Sequence, residues 1–312
     1  MSNGGQPELA ATPAVEVSKL FFRFNPESLD VLRDVNLDLE RGSRCLLIGA
    51  NGAGKSTLLQ ILAGKRMTKS KAKALGEDVF FNTPAGVAYL GTEWASNSVV
   101  RSDLVVSHFL DSVGGYRHKS RRDRLLNILD VDLDWHMHQI SDGERRRVQI
   151  VQGLMAPWNL LLLDEVTVDL DVMVRQELLQ FLIEDTKTRD CTVVYATHIF
   201  DGLDNFPTHV CHLQIGSTTT PKPIPWPISP EIAVQNDCGI PPEALHEIAS
   251  PDRIGSKLLV LALHWLKEDR LIRLKLEAQG DPAFKKRGAL PESSVPTDSE
   301  VFYRKYDYTN SA

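Results

Sequence analysis

The chain has 312 residues, of which 42% are hydrophobic and 24% charged, and a formal net charge of -6. That length can bury one large core or two smaller ones, while the acidic balance gives no general attraction to nucleic acid, so no direct nucleic-acid binding is expected. The four cysteines, Cys45, Cys191, Cys211 and Cys238, lie far apart without a Cys-x-x-Cys pair, which favours reduced thiols over a disulfide frame or zinc site.

In chain order, residues 1–14 lack the basic end and apolar core of a secretory signal and read as a flexible leader. Val15 to Phe24 and Val35 to Leu39 alternate at strand spacing. Cys45 to Ile48 is a short apolar run entering a glycine-rich turn, and Lys55 to Ala63 follows as a helix. From Trp94 to Trp158 the pattern turns helical, clearest over Arg121 to Leu129 and Glu144 to Met155, which predicts an inserted helical subdomain at about 95–157. Leu160 to Leu163 and Cys191 to Tyr195 suit parallel strands buried on both faces, with Val172 to Glu184 as the crossover helix between them.

The five prolines of PKPIPWPISP, residues 221–230, predict an end to regular structure, so the main domain is bounded at 15–216 and followed by a proline-rich linker, 217–250. Residues 251–280 read as a C-terminal helix with Leu259, Leu263 and Leu266 on one face, widened by Leu258 and Trp265, a face that packs against the core or, alternatively, binds a partner. Residues 281–312 read as a disordered tail. No run reaches the ~18 apolar residues needed to span a bilayer, and the longest, Leu258 to Leu266, is broken by His264.

The chemistry concentrates in three places. In GANGAGKST, residues 49–57, Gly49, Gly52 and Gly54 let the backbone around Asn51 and Ala53 curl so that its N–H groups face phosphate oxygens. Lys55 supplies a point charge to the outer phosphates, the Ser56 hydroxyl suits Mg²⁺, and Thr57 can reach an inner phosphate. In LLLLDE, Asp164 would hold Mg²⁺ through water and Glu165 would orient or deprotonate the attacking water. At a second predicted helix start, Ser141 and Gly143 offer another phosphate-facing surface. One chain does not need two such surfaces for one phosphate group, so completion of the site by a second subunit makes physical sense, although a plain Ser N-cap is the simpler reading of Ser141 alone.

With these pieces in order, residues 15–215 resemble the ATP-binding-cassette (ABC) ATPases. The resemblance implies an α/β fold: an ABC-type nucleotide-binding domain, with a RecA-like P-loop core, an antiparallel β subdomain, the inserted helical subdomain and a short helical C-terminal extension. It implies that Phe24 stacks on adenine, that Asp171 ends the loop after Asp164 and Glu165, and that His198 senses the γ-phosphate. ATP and Mg²⁺ are the implied cofactors, with catalytic roles for Lys55, Glu165 and His198 and a homodimer formed on ATP binding.

Departures from the general pattern point to a subgroup. Thr92 stands where Gln is usual, which leaves neighbouring Glu93 as a speculative metal ligand, and Asp142 and Glu144 add negative charge around Ser141. GTEW, SDGE, LLLLDEVTVDLD and YATHIFDGL resemble the soluble, non-transporter ABC ATPases that include the fungal factor associated with the carbon-catabolite-repression/NOT complex. That implies a cytoplasmic regulator of such an assembly, with a nuclear share left open and a link to transcription or mRNA regulation. The alternatives are the ATP-hydrolysing subunit of a multi-chain transporter and an ATP-binding switch that scarcely turns over. Two remaining clusters read as structural: His136-x-His138, for which spacing supplies no further ligand set, and the arginines 121, 122, 124 and 145–147, read as solvated helix faces.

Overall fold

The computed structural model describes residues 12–82, 84–91, 93–94, 98–228, 240–250, 255–281 and 283–284. Thr92 and Cys238 lie outside them, as do the leader up to residue 11 and the tail from residue 285. The chain divides into two compact units, Met1–Arg270 and Leu271–Ala312.

In the first unit, β1 (Val15–Phe22), β2 (Leu32–Leu39), β4 (Ala72–Ala74) and β5 (Glu77–Asp78) form an antiparallel sheet in the order β2-β1-β4-β5. The main sheet takes β3 (Arg44–Ile48), β6 (Val87–Leu90), β7 (Leu160–Asp164), β8 (Thr192–Ala196), β9 (His209–Gln214) and β10 (Ser217–Thr218) in the order β10-β9-β3-β8-β7-β6. Its central pairings, β9-β3, β3-β8, β8-β7 and β7-β6, are all parallel. Because side chains alternate along a strand, β3 sends Cys45 and Leu47 into one core with helix α1 (Lys55–Leu62) and the antiparallel sheet. Leu46 and Ile48 face the opposite core. There lie α2 (Val106–Ser112), α3 (Lys119–Leu129), α4 (Asp142–Leu154), α5 (Val172–Arg189), α6 (Pro242–Ala249) and the start of α7 (Lys257–Ala278). A strand buried on both faces needs apolar residues throughout, which is why Leu160 to Leu163 show no alternation in sequence.

Three expectations are corrected here. The prolines do not end the ordered domain: β11 (Ile224–Pro225) pairs antiparallel with β9, Trp226 is buried, and its Nε1 donates to Asp204 O at 2.9 Å. Proline is tolerated there because a two-residue strand asks little of its N–H groups. On α7 the buried face is Leu258, Leu261, Ala262, Trp265 and Asp269, whereas Leu263 is exposed. Leu258 and Trp265 are on the expected face, but that face also takes in a buried polar group, Asp269. His212 Nε2 lies 3.0 Å from Asp269 Oδ1, and its ring stacks on Trp265 at 4.6 Å. The arginines are not simply solvated either. Arg121 forks onto Asp185, which Arg189 also holds at 2.8 and 2.9 Å, and Arg145 and Arg146 are buried. The three described cysteines, Cys45, Cys191 and Cys211, are free and buried.

In the second unit the last turns of α7 expose Leu271 and Leu274 and carry an Arg273–Glu277 pair one helical turn apart.

Candidate functional site

The turn between β3 and α1 is shaped by glycine. Gly52 and Gly54 have φ of 86° and 100°, and a Cβ on Gly49 would fall 2.2 Å from Leu213 O. No L side chain fits either demand without moving backbone. The loop curls over Lys55, whose Nζ donates to Gly49 O at 2.7 Å and Ala50 O at 3.2 Å, while Asn51 and Gly52 sit exposed at its tip. Burial lowers the Lys55 pKa, opposed by the charges of Glu165 and Asp164. Ala53 and Thr57 are buried beneath the loop.

Two pairs complete this half of the site. Ser56 Oγ donates to Asp164 Oδ1 at 3.0 Å, and the Tyr89 hydroxyl donates to Asp164 Oδ2 at 3.3 Å. Burial raises the Asp164 pKa, and these two hydrogen bonds pull it back. Burial also pushes the Tyr89 hydroxyl up to about 12, so it stays a neutral donor. Beyond the strand end, Glu165 takes a left-handed φ of 54°, rare outside glycine, which turns its carboxylate toward the end of β8. Its Oε2 lies 2.7 Å from His198 Nδ1 and 3.3 Å from the His198 backbone N. A carboxylate accepts, so Nδ1 carries the proton in this pair.

Ser141 and Gly143 stand apart from that set. Ser141 caps α4, its Oγ accepting from Glu144 N at 3.2 Å, while one Glu144 carboxylate oxygen takes both the Ser141 hydroxyl and backbone N–H. These bonds hold the Glu144 pKa below the usual range. Among the described residues no hydrogen bond or ion pair joins Ser141 or Gly143 to Lys55, Ser56 or Asp164. Gly143 faces the loop after β7 instead, where an added Cβ would meet Asp169 O at 3.5 Å. Asp171 caps α5 through Val174 N at 3.0 Å and holds Arg147 at the same distance.

Phe24 meets Phe22 edge-on at 5.3 Å and lines a cleft of about 600 Å³, with Arg66 packed 4.8 Å over its ring. Glu93 is not drawn to the Ser56–Asp164 pair. Its carboxylate accepts from Gln60 on α1 at 2.6 Å and lies 3.9 Å from Lys65, just past the end of that helix.

Sequence reasoning missed Arg146. Its buried guanidinium donates to Gly91 O at 2.9 Å, Glu165 O at 3.2 Å and Val166 O at 3.3 Å, and also bonds Gln149. It thereby ties α4 to the ends of β6 and β7. An arginine three positions before an amide acceptor on one helix is the only linear trace of that clamp.

A family model described as "ABC transporter" matches residues 32–168. Saccharomyces cerevisiae "CCR4-associated factor 16" is 39% identical over 288 residues, covering 83% of this chain and 96% of that protein. The chain belongs to the ATP-binding-cassette family. Arabidopsis thaliana "ABC transporter I family member 21" is 44% identical over 66% of this chain and 77% of its own length. Among solved structures, cbiO1 from Clostridium perfringens superposes with a TM-score of 0.55 at 22% identity, covering 66% of this chain and 87% of its own. A dimeric cassette bound to ADP and Pi gives 0.56 at 19%, covering 65% and 96% respectively. These likenesses show the ABC-type nucleotide-binding fold. As an ABC ATPase domain, this is a P-loop enzyme that binds and hydrolyses ATP. No described helix is long and apolar enough to cross a membrane.

Proposed function

We propose that two copies of this ABC ATPase close head-to-tail around two ATP molecules, and that the closing and reopening regulate a partner assembly of the CCR4/NOT type in the cytoplasm. One observation carries the dimer: Lys55, Ser56, Asp164, Glu165 and His198 are assembled at one end of the main sheet, while Ser141 and Gly143 lie on α4 without a bond to them. Each chain therefore supplies half of two composite sites. The partner class rests on the name of the yeast relative.

The phosphate loop fits ATP because Gly52 and Gly54 hold the left-handed φ angles that let its N–H groups curl around a phosphate, and the Ser56–Asp164 pair offers the hard oxygens that Mg²⁺ takes. When bound there, Mg²⁺ neutralises charge on the β- and γ-phosphates. Lys55 and the loop N–H groups orient the triphosphate in line with water held by Glu165. Water oxygen bonds to the γ-phosphorus as the β–γ bridging P–O bond breaks, the Glu165 carboxylate takes the water proton, and ADP and phosphate leave. His198 Nδ1–H fixes the Glu165 carboxylate from behind. Ser141 and Gly143 of the second copy close over the γ-phosphate. Phe24 stacks on adenine once Arg66 or the free ring face accommodates it.

The Glu165→Gln protein, with Mg-ATP, tests this reading. Light scattering is expected to find a dimer that retains ATP, and affinity purification of the trapped form is expected to bring down subunits of a CCR4/NOT-type assembly. A strictly monomeric protein at saturating Mg-ATP overturns the dimer. Co-purification with an integral membrane permease instead overturns the regulatory role.

A further inference from the structure

We propose that Asp103, His136 and His138 form a binding site for one divalent transition ion of the zinc, cobalt and nickel class, separate from the nucleotide site. Linear spacing separates the carboxylate from the histidines by 33 residues, and the fold closes that gap. His136 Nδ1 lies 2.7 Å from Asp103 Oδ1, and His138 Nδ1 lies 3.2 Å from the same oxygen. One ligand atom from each of the three residues falls within 4.8 Å of the other two.

The backbone builds this arrangement. Residues 135–137 run beside residues 104–106 through an antiparallel bridge between Val105 and His136. Met137 N donates to Leu104 O, and Val106 N donates to Trp135 O, each at 2.9 Å. Beyond the bridge the chain enters a turn in which Gln139 N donates to His136 O at 2.9 Å, and with Met137 buried the side chains of His136 and His138 both reach Asp103. Their rings stand 5.8 Å apart at 86°, aimed toward one carboxylate rather than stacked on each other.

The chemistry selects the ion. Two imidazole nitrogens and one carboxylate oxygen suit borderline ions, whereas Mg²⁺ and Ca²⁺ want oxygen alone. Tetrahedral bonds of about 2.0–2.1 Å put neighbouring ligand atoms roughly 3.3 Å apart. His138 and Asp103 already stand near that spacing, and His136 has to draw back by roughly half an ångström. All three side chains are partly exposed, so that movement is open to them and water can fill the remaining positions. The site lies just ahead of Ser141, and Arg145 clamps the intervening carbonyls of Met137 and Ile140 at 3.0 and 2.9 Å. An ion there pins the segment that presents Ser141 to the loop carrying Asp103.

Tag-free full-length protein, stripped with chelator and kept free of nucleotide, is titrated with Co²⁺ and followed by visible absorption, with Zn²⁺ as competitor. One Co²⁺ per chain with a ligand-field band and no sulfur charge-transfer band is expected. Asp103→Asn and His138→Gln are each expected to weaken binding by roughly tenfold or more. Zn²⁺ added to the wild-type protein should shift the ring resonances of His136 and His138, a readout independent of how the variants fold. The proposal is overturned if no ion binds up to millimolar Co²⁺, if folded variants bind as wild type does, or if a thiolate band or unmoved ring resonances place the ion elsewhere.

Discussion

The Glu144 carboxylate grips Ser141 twice, taking its hydroxyl and its backbone N–H at 2.8 Å each through one oxygen. The surface expected to meet a partner's γ-phosphate therefore carries an anion bound to the donors that the phosphate would use. Glu144→Gln keeps a side chain able to accept from Ser141 N while removing the charge. Relief of about 1 kcal/mol of like-charge repulsion corresponds to roughly fivefold faster turnover. Steady-state phosphate release at saturating Mg-ATP checks this, and an unchanged or slower rate removes Glu144 as a brake.

His198 contacts Glu165 at 2.7 Å through Nδ1. If its task is to hold the water-directing carboxylate, His198→Ala lowers turnover by roughly 10²-fold while ATP affinity stays within a few-fold. Single-turnover hydrolysis together with fluorescent-nucleotide binding separates the two effects. A large loss of affinity with little change in rate would assign His198 to binding.

Arg146 serves three backbone carbonyls and Gln149 from inside the protein. Lysine has the charge but not the planar fork, so Arg146→Lys leaves carbonyls at the ends of β6 and β7 without donors. Roughly 3 kcal/mol of stability should go with them, read as a lower denaturant midpoint, with turnover falling as the Glu165 backbone loosens. A variant as stable as wild type shows that lysine re-forms the clamp.

Asp185 is buried, which by itself raises its pKa, yet the hydrogen bonds of Arg121 and Arg189 win and hold it below the usual range. A carboxylate with a depressed folded pKa contributes stability above its unfolded pKa of about 3.9, lost as pH falls through the folded value. Wild type should therefore lose stability as pH falls from about 5. Asp185→Asn should be less stable near neutrality by roughly 3 kcal/mol and lose less over the same descent. Chemical denaturation at several pH values tests this, and parallel curves for the two proteins overturn it.

The linear pattern determined whatever depends on neighbours in the chain. Gly49 to Thr57 must turn before a helix, Leu160 to Leu163 must be buried on both faces, and Asp164-Glu165 must follow that strand, because glycine freedom and apolar continuity are local properties. The phosphate-loop turn and the fold around it were legible for that reason, whereas the reading of His198 came only through the family resemblance. Tertiary structure alone decided the rest. Asp103 meets His136, 33 residues away, and His138 just beyond it, Arg146 reaches carbonyls just past the ends of two strands, and α7 adds an Asp269 contact with His212 to its buried Leu258, Leu261 and Trp265. The proline-rich segment stays ordered because Ile224 and Pro225 find an edge on β9 and Trp226 finds a buried place. Each is a polar or packing match between distant segments, and hydrophobic periodicity records that a face is apolar without recording which partner will cover it.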